Sequence, residues 1–122
     1  MRDAFSREGV WELMWKGVPA ERYGRRGDPL KIDCGYGNGR VRLFHAVTDA
    51  DTAKLLAFSY PEMKQGITRE EKKESELTAI FEPSDADESA FAEETLKRAE
   101  IVIAKPQELA AIAERARSEL GL

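Results

Sequence analysis

Apolar residues recur along this chain with two periods, about 3.6 and 2, and the alternation between them predicts the order of elements. From Arg7 to Lys16 the apolar residues Val10, Trp11, Leu13, Met14 and Trp15 are dense, and Val10, Leu13 and Met14 fall on one helical face. Ser6 before this segment and Gly17 after it suit the ends of a helix. Pro19 to Pro29 reads as a surface loop, with Arg22, Arg25 and Arg26 set among glycines. Leu30 to Val47 alternates on both sides of Gly37-Asn38-Gly39-Arg40, and Asn-Gly is the favoured pair of a tight type I′ hairpin. A turn at Asn38-Gly39 pairs Tyr36 with Val41, Cys34 with Leu43, Ile32 with His45 and Leu30 with Val47. Those eight side chains then form a core face, leaving Lys31, Asp33, Arg40, Arg42, Phe44 and Ala46 on the other.

The period returns to 3.6 after Asp49 and Asp51, either of which can cap a helix carrying Ala53, Leu56, Ala57, Tyr60 and Met63. Pro61 is expected to kink or restart this helix and Gly66 to end it, with a short solvated helix from the capping-box sequence Thr68-Arg69-Glu70-Glu71. Leu77 to Glu82 reads as a strand closed by Pro83, although one long helix through Glu70 to Glu82 also satisfies the spacing of Leu77, Ile80 and Phe81. Ser84 or Asp85 then opens a helix with Ala90, Phe91, Thr95 and Ala99 inward and the pairs Glu93/Lys97 and Glu94/Arg98 outward. Ile101 to Ala104 suits a strand covered on both faces. Pro106 suits a first helical position, and Leu109, Ile112, Ala113, Ala116 and Leu120 line one helical face up to Gly121. The pattern predicts an α/β protein, with α+β as the alternative. It has a mixed sheet of about four strands, a hairpin followed by strand–helix units, the last two strands parallel and helices packed on the sheet.

A length of 122 residues is that of one compact domain, and 42% hydrophobic with 34% charged residues suits one modest core. No apolar run reaches the roughly 18 residues of a membrane span, and the opening residues lack the apolar stretch of a secretory signal. A single cysteine, Cys34, forbids an internal disulfide, so a reducing, cytoplasmic setting is expected. One histidine beside one cysteine excludes a zinc site of several such ligands. Met1 to His45 carries nine basic residues against six acidic, whereas Ala46 to Leu122 carries ten against seventeen. That asymmetry raises the question of an anionic partner for the first part of the chain.

Gly35-Tyr36-Gly37-Asn38-Gly39 has the glycines of a phosphate-cradling loop but neither the third-glycine spacing nor the following helix, so it reads as a turn. Cys34 and His45 fall on one hairpin face, where a thiolate–imidazole dyad is conceivable. The apolar neighbours Ile32, Tyr36, Val41 and Leu43 instead predict an inert thiol. The carboxylates around Asp49, Asp51, Asp85, Asp87 and Glu88 suit helix capping, and neither run extends into a calcium loop. No cofactor, metal or catalytic residue is expected. A hairpin bearing Asp33 with strand–helix units behind it loosely resembles the restriction-endonuclease-like nucleases, in which an Asp on one strand precedes Glu-x-Lys on the next. Here the next strand, Arg40 to His45, holds neither Glu nor Lys, so the resemblance implies a domain that binds without cutting.

Two surfaces remain as candidates. Arg40 and Arg42 with Lys31 on the hairpin, and Arg25 and Arg26 in the preceding loop, would form a cationic face with Phe44 among them, fit for phosphates and unstacked bases. Trp11 and Trp15, with Phe5 nearby, would form an aromatic interface for a protein partner or a second copy in a homodimer. The expected function is a small non-catalytic binding or regulatory module acting through protein–protein contacts. A nucleic-acid-binding or degenerate nuclease-like domain is the alternative.

Overall fold

The computed structural model describes residues 1–83 and 85–122. It is a mixed α/β fold in which one five-stranded sheet, in the order β1-β2-β3-β4-β5, lies between two helical layers. The elements run α1 (Arg2–Arg7), β1 (Trp15–Pro19), β2 (Lys31–Asn38), β3 (Arg40–Val47), α2 (Ala50–Glu71), β4 (Ser75–Phe81), α3 (Ala86–Arg98), β5 (Val102–Ala104) and α4 (Leu109–Glu119). Strands β1, β2 and β3 are antiparallel, while β3, β4 and β5 are parallel, joined by α2 and α3. No helix among the described residues is long and apolar enough to cross a membrane.

The fifth strand comes from a segment expected to be helical. Trp15 to Pro19 pairs along β2, and Trp11–Leu13 forms only a single 3-10 turn, so the helix from Arg7 to Lys16 is absent and a short α1 precedes it. Hairpin pairing also differs by one residue from the expected register. The chain reverses at Gly39, with φ +72°, and Asn38 faces Arg40, Gly37 faces Val41, Tyr36 faces Arg42 and Cys34 faces Phe44. Through the middle of the hairpin, from Cys34 to Tyr36 and from Val41 to Phe44, both faces are covered, so no solvent side fixes the register there by polarity. Val41, Leu43 and Val47 pack with α2 and α3, whereas Phe44, Tyr36 and Cys34 pack with Phe5 of α1 and with Ala113 and Ala116 of α4. Strict alternation in β2 ends at Asp33, because Ile32 joins the first cluster and Cys34 the second.

Helix α2 is one 22-residue element capped by the Asp49 side chain, which accepts from the Thr52 N–H at 2.7 Å. Neither Pro61 nor Gly66 interrupts it. Pro61 is on the exposed side and only removes the N–H that would meet the Ala57 carbonyl, while Leu56, Tyr60, Met63 and Ile67 hold the helix to the sheet on both sides of it. Thr68-Arg69-Glu70-Glu71 is the last turn of α2, which ends with Lys72 in the left-handed conformation. β4 then starts at Ser75, so Leu77 to Phe81 is strand rather than helix. Asp85 caps α3, as expected of one of the two candidates; Ser84 lies outside the described residues. The helix is rotated from expectation: Ala92 and Leu96 are buried, and Phe91 is exposed. The pairs Glu93/Lys97 and Glu94/Arg98 form as predicted. β5 has only three residues at the sheet edge, so Val102 is exposed instead of covered.

Gly66 has a role other than ending a helix. A Cβ there would stand 1.7 Å from the Tyr23 carbonyl oxygen, so the absence of a side chain lets the 3-10 turn Ala20–Arg22 and its following residue lie against α2. Gly→Ala within a helix ordinarily gains up to about 1 kcal/mol. Gly66→Ala is expected to do the reverse and cost roughly 1–3 kcal/mol through overpacking, read as a lower urea midpoint at unchanged slope.

Candidate protein-binding surface

The five basic residues predicted to share one face are separated in the fold. Lys31 begins β2, and Arg40 begins β3 beyond the turn, so they occupy opposite ends of the hairpin, about 20 Å apart at a strand rise of roughly 3.3 Å per residue. Arg42 points toward α4 with its side chain only 17% exposed. It donates from Nη1 to Glu76 at 2.9 Å and from Nε to Glu119 at 3.0 Å, and the Tyr36 hydroxyl donates to Glu119 at 2.8 Å. Burial pushes the Glu119 carboxyl up, but Tyr36 and Arg42 together bring it below its ordinary value. Arg42 is thus the centre of a structural cluster joining β2, β3, β4 and α4. Arg40 pairs with Glu74 at 3.3 Å, and Arg25 pairs with Glu62. Among the described residues, Arg26 and Lys31 have no carboxylate within 4 Å.

The aromatic residues predicted as an interface divide as well. Phe5 is fully buried, its ring 5.4 Å from that of Phe44, and is a core residue. Trp11 is half-buried against Phe5 at 6.5 Å with the Lys16 ammonium over its ring. Trp15 is 43% exposed on edge strand β1, its indole partly covering Gly37, where no side chain stands in its way. The tryptophans are therefore not partners on one helical face. Lys16, the positive φ of Gly17 and Pro19 make β1 a poor edge for a further strand.

A different surface gathers more exposed apolar area. On the outer side of α2, Phe58 is 60% exposed and Leu55, one turn before it, is exposed too; on neighbouring α3, Phe91 is 52% exposed. The Arg25 guanidinium lies 4.7 Å from the Phe58 ring centre, and the Lys54 ammonium lies 5.4 Å from that of Phe91. Lys54, adjacent to Leu55, thus links the two helices. Beside this strip a shallow cleft of about 330 Å³ lies between α2 and α3, lined by Ala57, Pro61, Thr95, Arg98 and Ala99. Neither Leu55 nor Phe58 falls on the buried stripe Ala53, Leu56, Tyr60, Met63, so their exposure was implicit in the helical spacing. Phe91 was hidden by the one-residue rotation of α3.

Cys34 and His45 do not meet, since Cys34 packs with α1 and α4 while His45 shares the strand face of Val41, Leu43 and Val47. Burial above all, and then the Asp33 charge, pushes the Cys34 thiol up to about 12. Asp33 is engaged by the Ala46 N–H at 2.8 Å, and no three His, Cys, Asp or Glu residues among those described converge to hold a metal ion. No family model, no curated protein and no solved structure matches this chain. Cys34 is expected to resist iodoacetamide at about pH 8, where an ordinary exposed thiol alkylates readily, and to react once the protein is unfolded in urea; thiol titration with and without denaturant checks both.

Proposed function

We propose that the chain is a small binding module, without catalysis of its own, that engages a protein partner through the outer surface of α2 and α3. The observation that supports this is the exposure of Leu55, Phe58 and Phe91 on one side of the helical layer, with Arg25 and Lys54 held over the two rings. Water gains little from hydrating such rings, and aromatic residues and arginine are the types enriched where proteins meet. The cations already on the rings would keep part of their attraction as a partner excludes solvent, because cation–π contacts strengthen on desolvation. Trp15 with Leu13 at the β1 edge is a second, smaller exposed apolar group. The nucleic-acid reading rests on Arg26 and Lys31 alone, since Arg25, Arg40 and Arg42 are each matched by a carboxylate.

A photo-crosslinking amino acid at position 58 or 91 is expected to capture a discrete partner in cells, while one at Glu114 on the opposite layer captures none. Phe58→Glu with Phe91→Glu is expected to weaken that association about 30-fold or more, the loss of at least one interface hot spot of about 2 kcal/mol, and Trp15→Ala to change it little. Sedimentation velocity tells a second copy from a foreign partner. Fluorescence anisotropy with labelled single and double strands is expected to show no binding. Binding that falls steeply with salt and disappears in Arg26→Glu with Lys31→Glu overturns the reading in favour of nucleic acid.

A further inference from the structure

We infer that His45 is a pH-sensitive latch on the β2–β3 ladder: its neutral ring accepts the Asp33 amide, and a second ring proton releases that end of the hairpin. The ladder between β2 and β3 has a gap. Backbone pairing of β2 with β3 runs from Asn38–Arg40 to Cys34–Phe44 and stops there. At the next position two side chains do the work of the ladder. The Asp33 N–H donates to Nδ1 of His45 at 3.1 Å, and the Ala46 N–H donates to Oδ2 of Asp33 at 2.8 Å. This is also where β2 changes core, Ile32 going to the α2 side and Cys34 to the α1 side, and where Gly17 of β1, with φ +58°, stands between the pairs Lys16–Cys34 and Val18–Ile32. The backbone is thus irregular on both strands, and the His45–Asp33 exchange supplies the hydrogen bonds it lacks.

An acceptor at Nδ1 fixes the proton on Nε2. Among the described residues Nε2 has no hydrogen-bond partner, and since Ser59 Oγ is the one side-chain polar atom there that is both buried and unpaired, Nε2 is open to water. A route for a proton from solvent to the ring therefore exists at Nε2, but the second proton must sit on Nδ1, opposite an N–H group. There it would be a donor facing a donor. The acceptor left to it is Asp33 Oδ2, 3.5 Å away, and turning to that oxygen competes with the Ala46 N–H. One protonation thus disturbs both bridging bonds.

The charged surroundings are simple. From β2 the Asp33 carboxylate acts on the ring; β4 sets the neutral Ala79 beside His45, between Thr78 and Ile80, and β1 presents Gly17 across from Asp33. Burial disfavours the imidazolium more than Asp33 favours it, so the ring titrates below its ordinary value of 6.5. The unfolded chain then binds the proton first, and the latch's contribution is present above that ordinary value and is lost as pH falls through the lower, folded one. Lys31, Ile32 and the β1 residues Val18 and Pro19 paired with them lie beyond the latch and loosen with it.

This chain has a single histidine, so its ring nitrogens can be read by NMR without ambiguity. At about pH 7.5 Nδ1 is expected to show the unprotonated shift and Nε2 the protonated one. From about pH 7.5 to pH 5, above the range where carboxylates titrate, the exchange protection of the Asp33 amide, corrected for intrinsic rate, is expected to fall severalfold as the opened form takes up the proton first. Protection at Gly35 and Leu43 stays constant. His45→Asn, whose side-chain oxygen can take the place of Nδ1 but does not titrate, is expected to keep Asp33 protected across the same range. A proton found on Nδ1 at pH 7.5, or an equal loss of Asp33 protection in wild type and His45→Asn, overturns the inference.

Discussion

Strand β3 is bonded on both sides and covered on both faces, and the other elements arrange themselves around that constraint. It is antiparallel to β2 and parallel to β4, so it is the seam where the meander of the first part of the chain meets the crossovers of the second. Val41, Leu43 and Val47 belong to one core, and Phe44 to the other. The one charged side chain on its middle, Arg42, is tolerated because Glu76 and Glu119 arrive from the neighbouring strand and from α4. Removing one of those carboxylates would leave a partly desolvated charge with incomplete compensation.

How far the fold could be read from the sequence follows from the same constraint. Where an element has one wet face, the pattern of residues located it: α2 with its Asp49 cap, α4 behind Pro106, and the ion pairs of α3. Where both faces are dry, the pattern lost its meaning. The hairpin was visible, but its register slipped by one because Tyr36 and Cys34 are as apolar a choice for the second core as Val41 and Leu43 are for the first. β1 was misread because Trp11 to Trp15 mixes residues of a 3-10 turn with the start of a strand, and a dense apolar run has no period of its own. Gly66 looked like a stop because a glycine's use as a point of close approach depends on Tyr23, more than forty residues away.

The candidate surface was legible only in part, for a related reason. Sequence counts show which charges exist but not which are already matched, and three of the five cations assigned to one patch are paired with glutamates far along the chain. Leu55 and Phe58, by contrast, lie off the buried stripe of an amphipathic helix, a signal that needs no tertiary knowledge. An apolar residue on the wrong side of a regular pattern was more informative than the aromatic residues that the pattern had seemed to gather.

The two cores differ in how the chain assembles them. The α2–α3 side draws mainly on β3, β4 and the helices between, neighbours in sequence that can come together as each crossover is completed. The other side joins Phe5, Val10 and Met14 to Ala113 and Ala116, from opposite extremes of the 122 residues. During synthesis on the ribosome, Phe44, Tyr36 and Cys34 therefore lack their final cover until α4 has emerged. Over that interval the nascent chain carries an apolar sheet face still missing half of its helical cover, the condition in which incompletely folded chains are prone to associate.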